Sequence, residues 1–137
     1  MSDVYISYAR QEGSRAELLA HALEEAGISV WWDRQIPVGQ TWADLIEREL
    51  DSAGCVIVLW SANSVKSRWV LDEAAYARDM NKLVPVLIDD VQLPSGFSAL
   101  QSAVLTDWNG EQSHPNFDHL LKTVSNLVER SRSQRRL

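Results

Sequence analysis

An α/β fold, with a parallel sheet covered by helices on both faces, is what this chain predicts. Strand-forming runs alternate with segments of helical periodicity, and the connections between them are short. The 137 residues, 45% of them hydrophobic, suit one domain built around one core.

The first run, Val4-Tyr5-Ile6-Ser7-Tyr8, is rich in aromatic and β-branched residues and reads as a strand. Leu18, Leu19, Ala22, Leu23 and Ala26 then recur at helical spacing, and Gly27 fits the stop of that helix. Ile28 to Trp32 is a second strand, followed by a loop over Asp33 to Gln40 that holds Pro37 and Gly39. Thr41 is placed to cap a helix from Trp42 to Ser52. Cys55 to Trp60 is a third strand. The turn Ser61-Ala62-Asn63-Ser64 opens a third helix that reaches about Met80. Leu83 to Ile88 is a fourth strand, in which Pro85 marks a bulge or an edge. Ala103-Val104-Leu105 is a short fifth, and a last helix follows Pro115 with Phe117, Leu120, Leu121, Val124 and Leu127 inward. Right-handed crossovers reduce the topologies to a few, of which a flavodoxin-like three-layer sandwich with a five-stranded sheet of order 2-1-3-4-5 is favoured. Its switch point lies between the first and third strands, and ligands of such sheets bind there.

Composition limits the function. The net charge is −6, and Arg130, Arg132, Arg135 and Arg136 crowd the last eight residues, so the remainder is more acidic still. Such a body repels nucleic acid. The division expected is a domain over residues 1–129 and a basic tail or linker over 130–137. No apolar run is long enough to span a bilayer, and the N-terminus lacks the pattern of a secretion signal. The lone Cys55, in an apolar run, reads as a buried small hydrophobe. A cytoplasmic location is expected.

Several chemistries lack their residues. Ser7-Tyr8-Ala9-Arg10 stands where a dinucleotide-binding redox fold carries its glycine fingerprint, and no phosphate loop is present. Leu59-Trp60-Ser61 ends the third strand, where a phospho-acceptor would carry an aspartate. His21, His114 and His119 are scattered, so neither a metal site nor a hydrolytic triad is indicated. What remains is Ser67-Arg68-Trp69-Val70-Leu71-Asp72-Glu73, which puts Trp69 and Glu73 one helical turn apart on one face near the switch point. A nicotinamide leaves its ribose as a neutral molecule and needs no general acid. One carboxylate that orients the ribose and steadies the developing cation therefore suffices, unlike the pair that neutral glycosides require. On spacing alone, the usual reading of such a pair is a core edge beside a solvated acid.

Five blocks in order carry a resemblance: Asp3 to Tyr8, Gly27 to Asp33, Ile36-Pro37-Val38-Gly39-Gln40-Thr41-Trp42, Val56 to Ser61 with Ser67 to Glu73, and Leu83 to Val86. From Asp3 to about Val128 the chain resembles a TIR (Toll/interleukin-1 receptor) domain of the bacterial, NAD-consuming kind. It departs from the pattern at Ala9, where the family often has a basic residue.

The resemblance implies that Glu73 is the catalytic glutamate and Trp69 its aromatic neighbour. Tyr8 and Arg10 would line the crevice, Arg10 meeting a phosphate. Asp33 would contact ribose or the carboxamide, and Trp42 would stack on a ring. Ser67 belongs to the motif but also reads as a helix cap. Plainer readings stand beside these: Trp42 as a helix anchor, Asp33 as a turn former, Arg10 as a solvated charge. Trp31, Trp60 and Trp108 read as packing. The family works by self-assembly, which gives Ile36, Pro37 and Gly39 a self-association role. NAD+ is then substrate rather than cofactor, no metal is called for, and the expected partners are other TIR protomers and a fused or separate sensor domain. The leading reading is an NAD+ glycohydrolase or cyclase serving antiphage defence. A non-catalytic TIR–TIR adaptor and an NAD-holding sensor are the alternatives.

Overall fold

A computed structural model describes residues 2–32, 38, 39 and 41–136, with only the backbone of 42, 135 and 136. The parallel sheet comprises β1 (Val4–Ser7), β2 (Val30–Trp31), β3 (Cys55–Trp60), β4 (Leu83–Leu87) and β5 (Ala103–Val104). Its order is β2-β1-β3-β4-β5, as the sequence predicts. The helices are α1 (Gly13–Glu25), α2 (Trp42–Ser52), α3 (Arg68–Asp79) and α4 (Pro115–Arg136).

Alternation along the strands divides the core in two. Val4, Ile6 and Tyr8 point to one face, where Leu19 and Leu23 of α1 and Phe117, Leu120, Val124 and Val128 of α4 pack on them. Tyr5, Val56, Val58 and Trp60 face the other way, against Ile46 of α2 and Val70, Ala74 and Ala77 of α3. β3 is buried along its whole length. Cys55 lies within it, and burial pushes its thiol up to about 12, so it packs as a small hydrophobe. The three tryptophans read as packing do pack. Trp60 is fully buried against Phe97, Trp31 stacks on Tyr5, and Trp108 stacks on Phe117.

The boundaries differ in informative places. β2 has two residues rather than five, because pairing with β1 extends only over Val4 and Tyr5. α1 begins earlier than its apolar spacing suggests, after a 3-10 turn over Arg10–Glu12. The segment after β3 is a 3-10 turn (Ser64–Lys66) and then α3, rather than one helix. Pro85 is neither a bulge nor on an edge strand. The N–H of Val56 reaches the carbonyl of Lys82 and that of Ile88 the carbonyl of Trp60, so even-numbered residues of β4 turn their amides toward β3. Pro85 turns its missing N–H the other way, where β5 does not begin to pair until Val86. The ladder loses no bond.

Residues 130–136, set apart in the sequence as a tail, are the last turns of α4. Arg132 there bonds Asp3 at 2.8 Å, beside the start of β1. Ser131 lies 3.0 Å from where a Cβ on Gly54 would sit, so glycine at 54 permits the helix to approach. Among the described residues no helix is long and apolar enough to cross a membrane.

Candidate functional site

The carboxyl ends of β1 and β3 support the site. After β3, Ser61 and Ser64 bond each other reciprocally: each backbone N–H donates to the other's hydroxyl, at 2.7 and 3.0 Å. Ser64 Oγ also donates to the carbonyl of Leu59 at 2.7 Å. This turn delivers the chain to Ser67, whose hydroxyl accepts from the N–H of Val70 and caps α3. Trp69 and Glu73 follow at the spacing of one turn. Trp69 is 37% exposed, whereas Glu73 is 6% exposed, on the inward stripe with Val70, Ala74 and Ala77.

A carboxylate turned into a core needs donors. Glu73 takes them from β1: Ser7 Oγ donates to Oε1 at 2.7 Å, and the Tyr5 hydroxyl donates to Oε2. Tyr5 and Ser7 are two apart on a strand, hence on one face. The Tyr5 ring stacks on Trp31, with centroids 5.0 Å apart.

Two clefts meet at Trp69. One, of about 900 Å³ between α2 and α3, is lined by Glu73, Asp72, Asp44, Glu47, Asp51 and Tyr76, with Arg48 as the single base among its described lining residues. Desolvation and a hydrogen bond to Asp51 push the Tyr76 phenol up to about 12, so it stays a donor at neutral pH. The other cleft, of about 670 Å³, is lined by Tyr8, Arg10, Asn63, Lys66 and Ser67, with no acid among its described lining residues. The described linings of the two clefts therefore differ in sign.

A polar cluster joins the loops behind the second cleft. The buried carboxylate of Glu12 accepts from Arg15 at 3.2 Å and from Asn63 at 2.8 Å. Arg15 also donates to Asp89 at 2.9 Å and to the carbonyl of Ile88. Asp89 accepts from the N–H of Ala62 at 2.9 Å. The Arg15 hydrogen bond, then the Ala62 amide, hold the Asp89 carboxyl below its usual range. A depressed folded-state value contributes stability that is full above the unfolded value, about 3.9, and is lost as pH falls through the folded one. The urea midpoint of Asp89→Asn is thus expected below that of the native chain at about pH 7, with the gap narrowing by about pH 3. A gap that stays constant would discard this contribution.

Of the residues singled out in the sequence, the structure gathers Tyr8, Arg10, Ser67 and Trp69 along one cleft and Glu73 in the next. Tyr8 is mostly packed, its hydroxyl donating to the carbonyl of Trp32 at 2.6 Å. Asp33, Ile36 and Pro37 lie outside the described residues, as does the side chain of Trp42, although Trp42 does begin α2. Gly39 is exposed at φ 88°, where a side chain would be strained. Sequence reasoning missed Tyr5, Ser7, Lys66, Asn63 and the α2 acids as site residues. The signal for Tyr5 and Ser7 was there: hydroxyls in a strand buried on both faces require partners. Among the described residues no cluster of metal ligands occurs.

Comparison with known proteins agrees with this architecture. A search of curated proteins finds no match. The TIR domain of the Toll-related receptor TRR-2 from Hydra magnipapillata superposes with a TM-score of 0.78 at 20% identity, over 91% of this chain and 99% of that one. A metazoan TIR-STING receptor from C. gigas, solved with 2′,3′-cGAMP, gives 0.72 at 24% identity, over 91% of this chain and 40% of that one. The TIR domains of the activated Roq1 resistosome give 0.57 at 20% identity, over 96% and 84%. These likenesses carry the fold. The family model described as "TIR domain" matches residues 4–121, from the first residue of β1 into α4, and on that match the chain belongs to the TIR domain family.

Proposed function

We propose that this TIR domain cleaves the nicotinamide–ribose bond of NAD+ when its protomers assemble. The carrying observation is Glu73: a carboxylate oriented by two hydroxyls, lining an acidic cleft that meets a basic one at the exposed Trp69. NAD+ has the complementary polarity, a cationic ring at one end and a pyrophosphate further along. The acid-lined cleft beside Glu73 suits the ring and its ribose. Arg10 and Lys66 suit the pyrophosphate.

In the reaction the C1′–N bond breaks and its electron pair departs with nicotinamide, which leaves neutral. Positive charge passes to the ribosyl carbon, where a fixed anion stabilises it more than it stabilises the ground state. Water attacking C1′ and losing a proton gives ADP-ribose. A nucleophile within the ADP-ribosyl group gives a cyclic product instead. Antiphage defence is the setting proposed for this activity.

Assembly has its own support. Val38, beside Gly39 in the block to which the resemblance gives a self-association role, is fully exposed. The same feature favours the adaptor as the second reading.

The deciding experiment supplies NAD+ to the concentrated chain, follows assembly by light scattering and identifies products by mass. Nicotinamide and an ADP-ribosyl product are expected in equal amounts, rising more steeply than protein concentration. Assembled protein that releases no nicotinamide would replace this reading with the adaptor.

A further inference from the structure

We infer that Tyr5 and Ser7 are positioning residues for the proposed reaction, holding the Glu73 carboxylate in one orientation through a hydroxyl on each oxygen. The inference rests on the reading of Glu73 as the catalytic group. Tyr5 is 1% exposed and Ser7 is fully buried, so neither reaches a substrate, and any effect they have passes through Glu73.

The geometry is over-determined in a way that a solvated acid would not need. Ser7 ends β1, and Tyr5 lies two residues earlier on the same face. β1 is held in register by β3 along all four of its residues and by β2 at Val4 and Tyr5. The Tyr5 ring is fixed by its stack on Trp31 at an interplanar angle of 20°. Glu73 itself is fixed because Val70, Ala74 and Ala77 seat α3 on the sheet. Both partners of each hydrogen bond therefore belong to rigid elements, and the carboxylate is ordered before any ligand arrives.

Preorganisation of this kind acts on the chemical step. A carboxylate free to rotate would have to be reoriented as the ribosyl cation forms, and an anion this buried without donors is disfavoured. Removing one donor therefore lowers kcat while leaving ground-state binding of the dinucleotide unchanged.

The experiment measures kcat and KM for nicotinamide release by the assembled full chain and its variants. Each is first checked for fold by thermal melting. Tyr5→Phe and Ser7→Ala are each expected to lower kcat about tenfold with KM changed less than about twofold. Ser7→Thr, which keeps a hydroxyl, is expected to stay near the native kcat. Added to Glu73→Gln, either substitution is expected to change nothing further, since the group it positions is gone. A purely structural role would instead lower stability in both backgrounds and leave kcat per folded molecule unchanged, which overturns the inference. So does a loss confined to KM. Native kcat in folded Tyr5→Phe and Ser7→Ala, with Glu73→Gln inactive, overturns this inference alone. An active Glu73→Gln protein overturns the functional reading and this inference with it. Should one variant fail to fold, the other decides.

Discussion

Glu73→Gln is expected to lower nicotinamide release by about a thousandfold in assembled protein while the fold persists. Loss of a preorganised charge aimed at a developing one typically costs about a hundred- to a thousandfold, and here one group carries the stabilisation. Glutamine is close to the same shape. Its carbonyl oxygen accepts from one β1 hydroxyl, and its amide donates to the other, since a hydroxyl accepts as well as donates. Glu73→Ala is less informative. It removes the acceptor of the Tyr5 and Ser7 hydroxyls and opens a void, and a buried donor that loses its acceptor costs about 1–3 kcal/mol. A fall in activity there mixes chemistry with stability. The measurement is initial rate against NAD+ for native and Gln variants matched for assembly. An unchanged rate in a folded, assembled Gln protein removes Glu73 from the mechanism.

Phe117→Ala is expected to destabilise the chain by about 3–5 kcal/mol. Phe117 is fully buried and stacks on Trp108 with ring centroids 5.1 Å apart and planes 8° from parallel. It heads the stripe Phe117, Leu120, Val124 and Val128 by which α4 docks on the sheet. The cost is a large share of the about 5–15 kcal/mol that holds a domain together. Leu18→Ala makes a useful contrast: that side chain is 40% exposed, and its loss should cost far less. α4 covers the face opposite Glu73, so nicotinamide release per folded Phe117→Ala molecule should match the native value. Denaturant midpoints test the first expectation, and rates scaled by folded fraction test the second. A loss below about 1 kcal/mol would mean that α4 contributes little to the fold.

The same division between local and distant causes decides what was legible in advance. α2 and β3 begin and end where the sequence places them, because their signals are local: a Thr41 cap whose hydroxyl accepts from the N–H of Asp44, and an unbroken apolar run. β2 shrank because pairing sets a strand's length, and pairing is not written in the strand itself. The tolerance of Pro85 within the sheet escapes a local reading for a related reason. Its tolerance depends on which way its backbone nitrogen turns and on where β5 starts to pair.

By itself the sequence determined the α/β class, favoured the strand order that the sheet has, carried the family resemblance and set Trp69 one helical turn from Glu73. Helical spacing, strand composition and crossover handedness are short-range or general rules. Only the tertiary structure decided that Glu73 turns inward, that its donors are Tyr5 and Ser7, and that clefts of opposite sign meet at Trp69. Those donors lie 68 and 66 residues from Glu73 in the chain. Such partners become neighbours through the register of β1 in the sheet and the seating of α3 upon it, which no local pattern encodes.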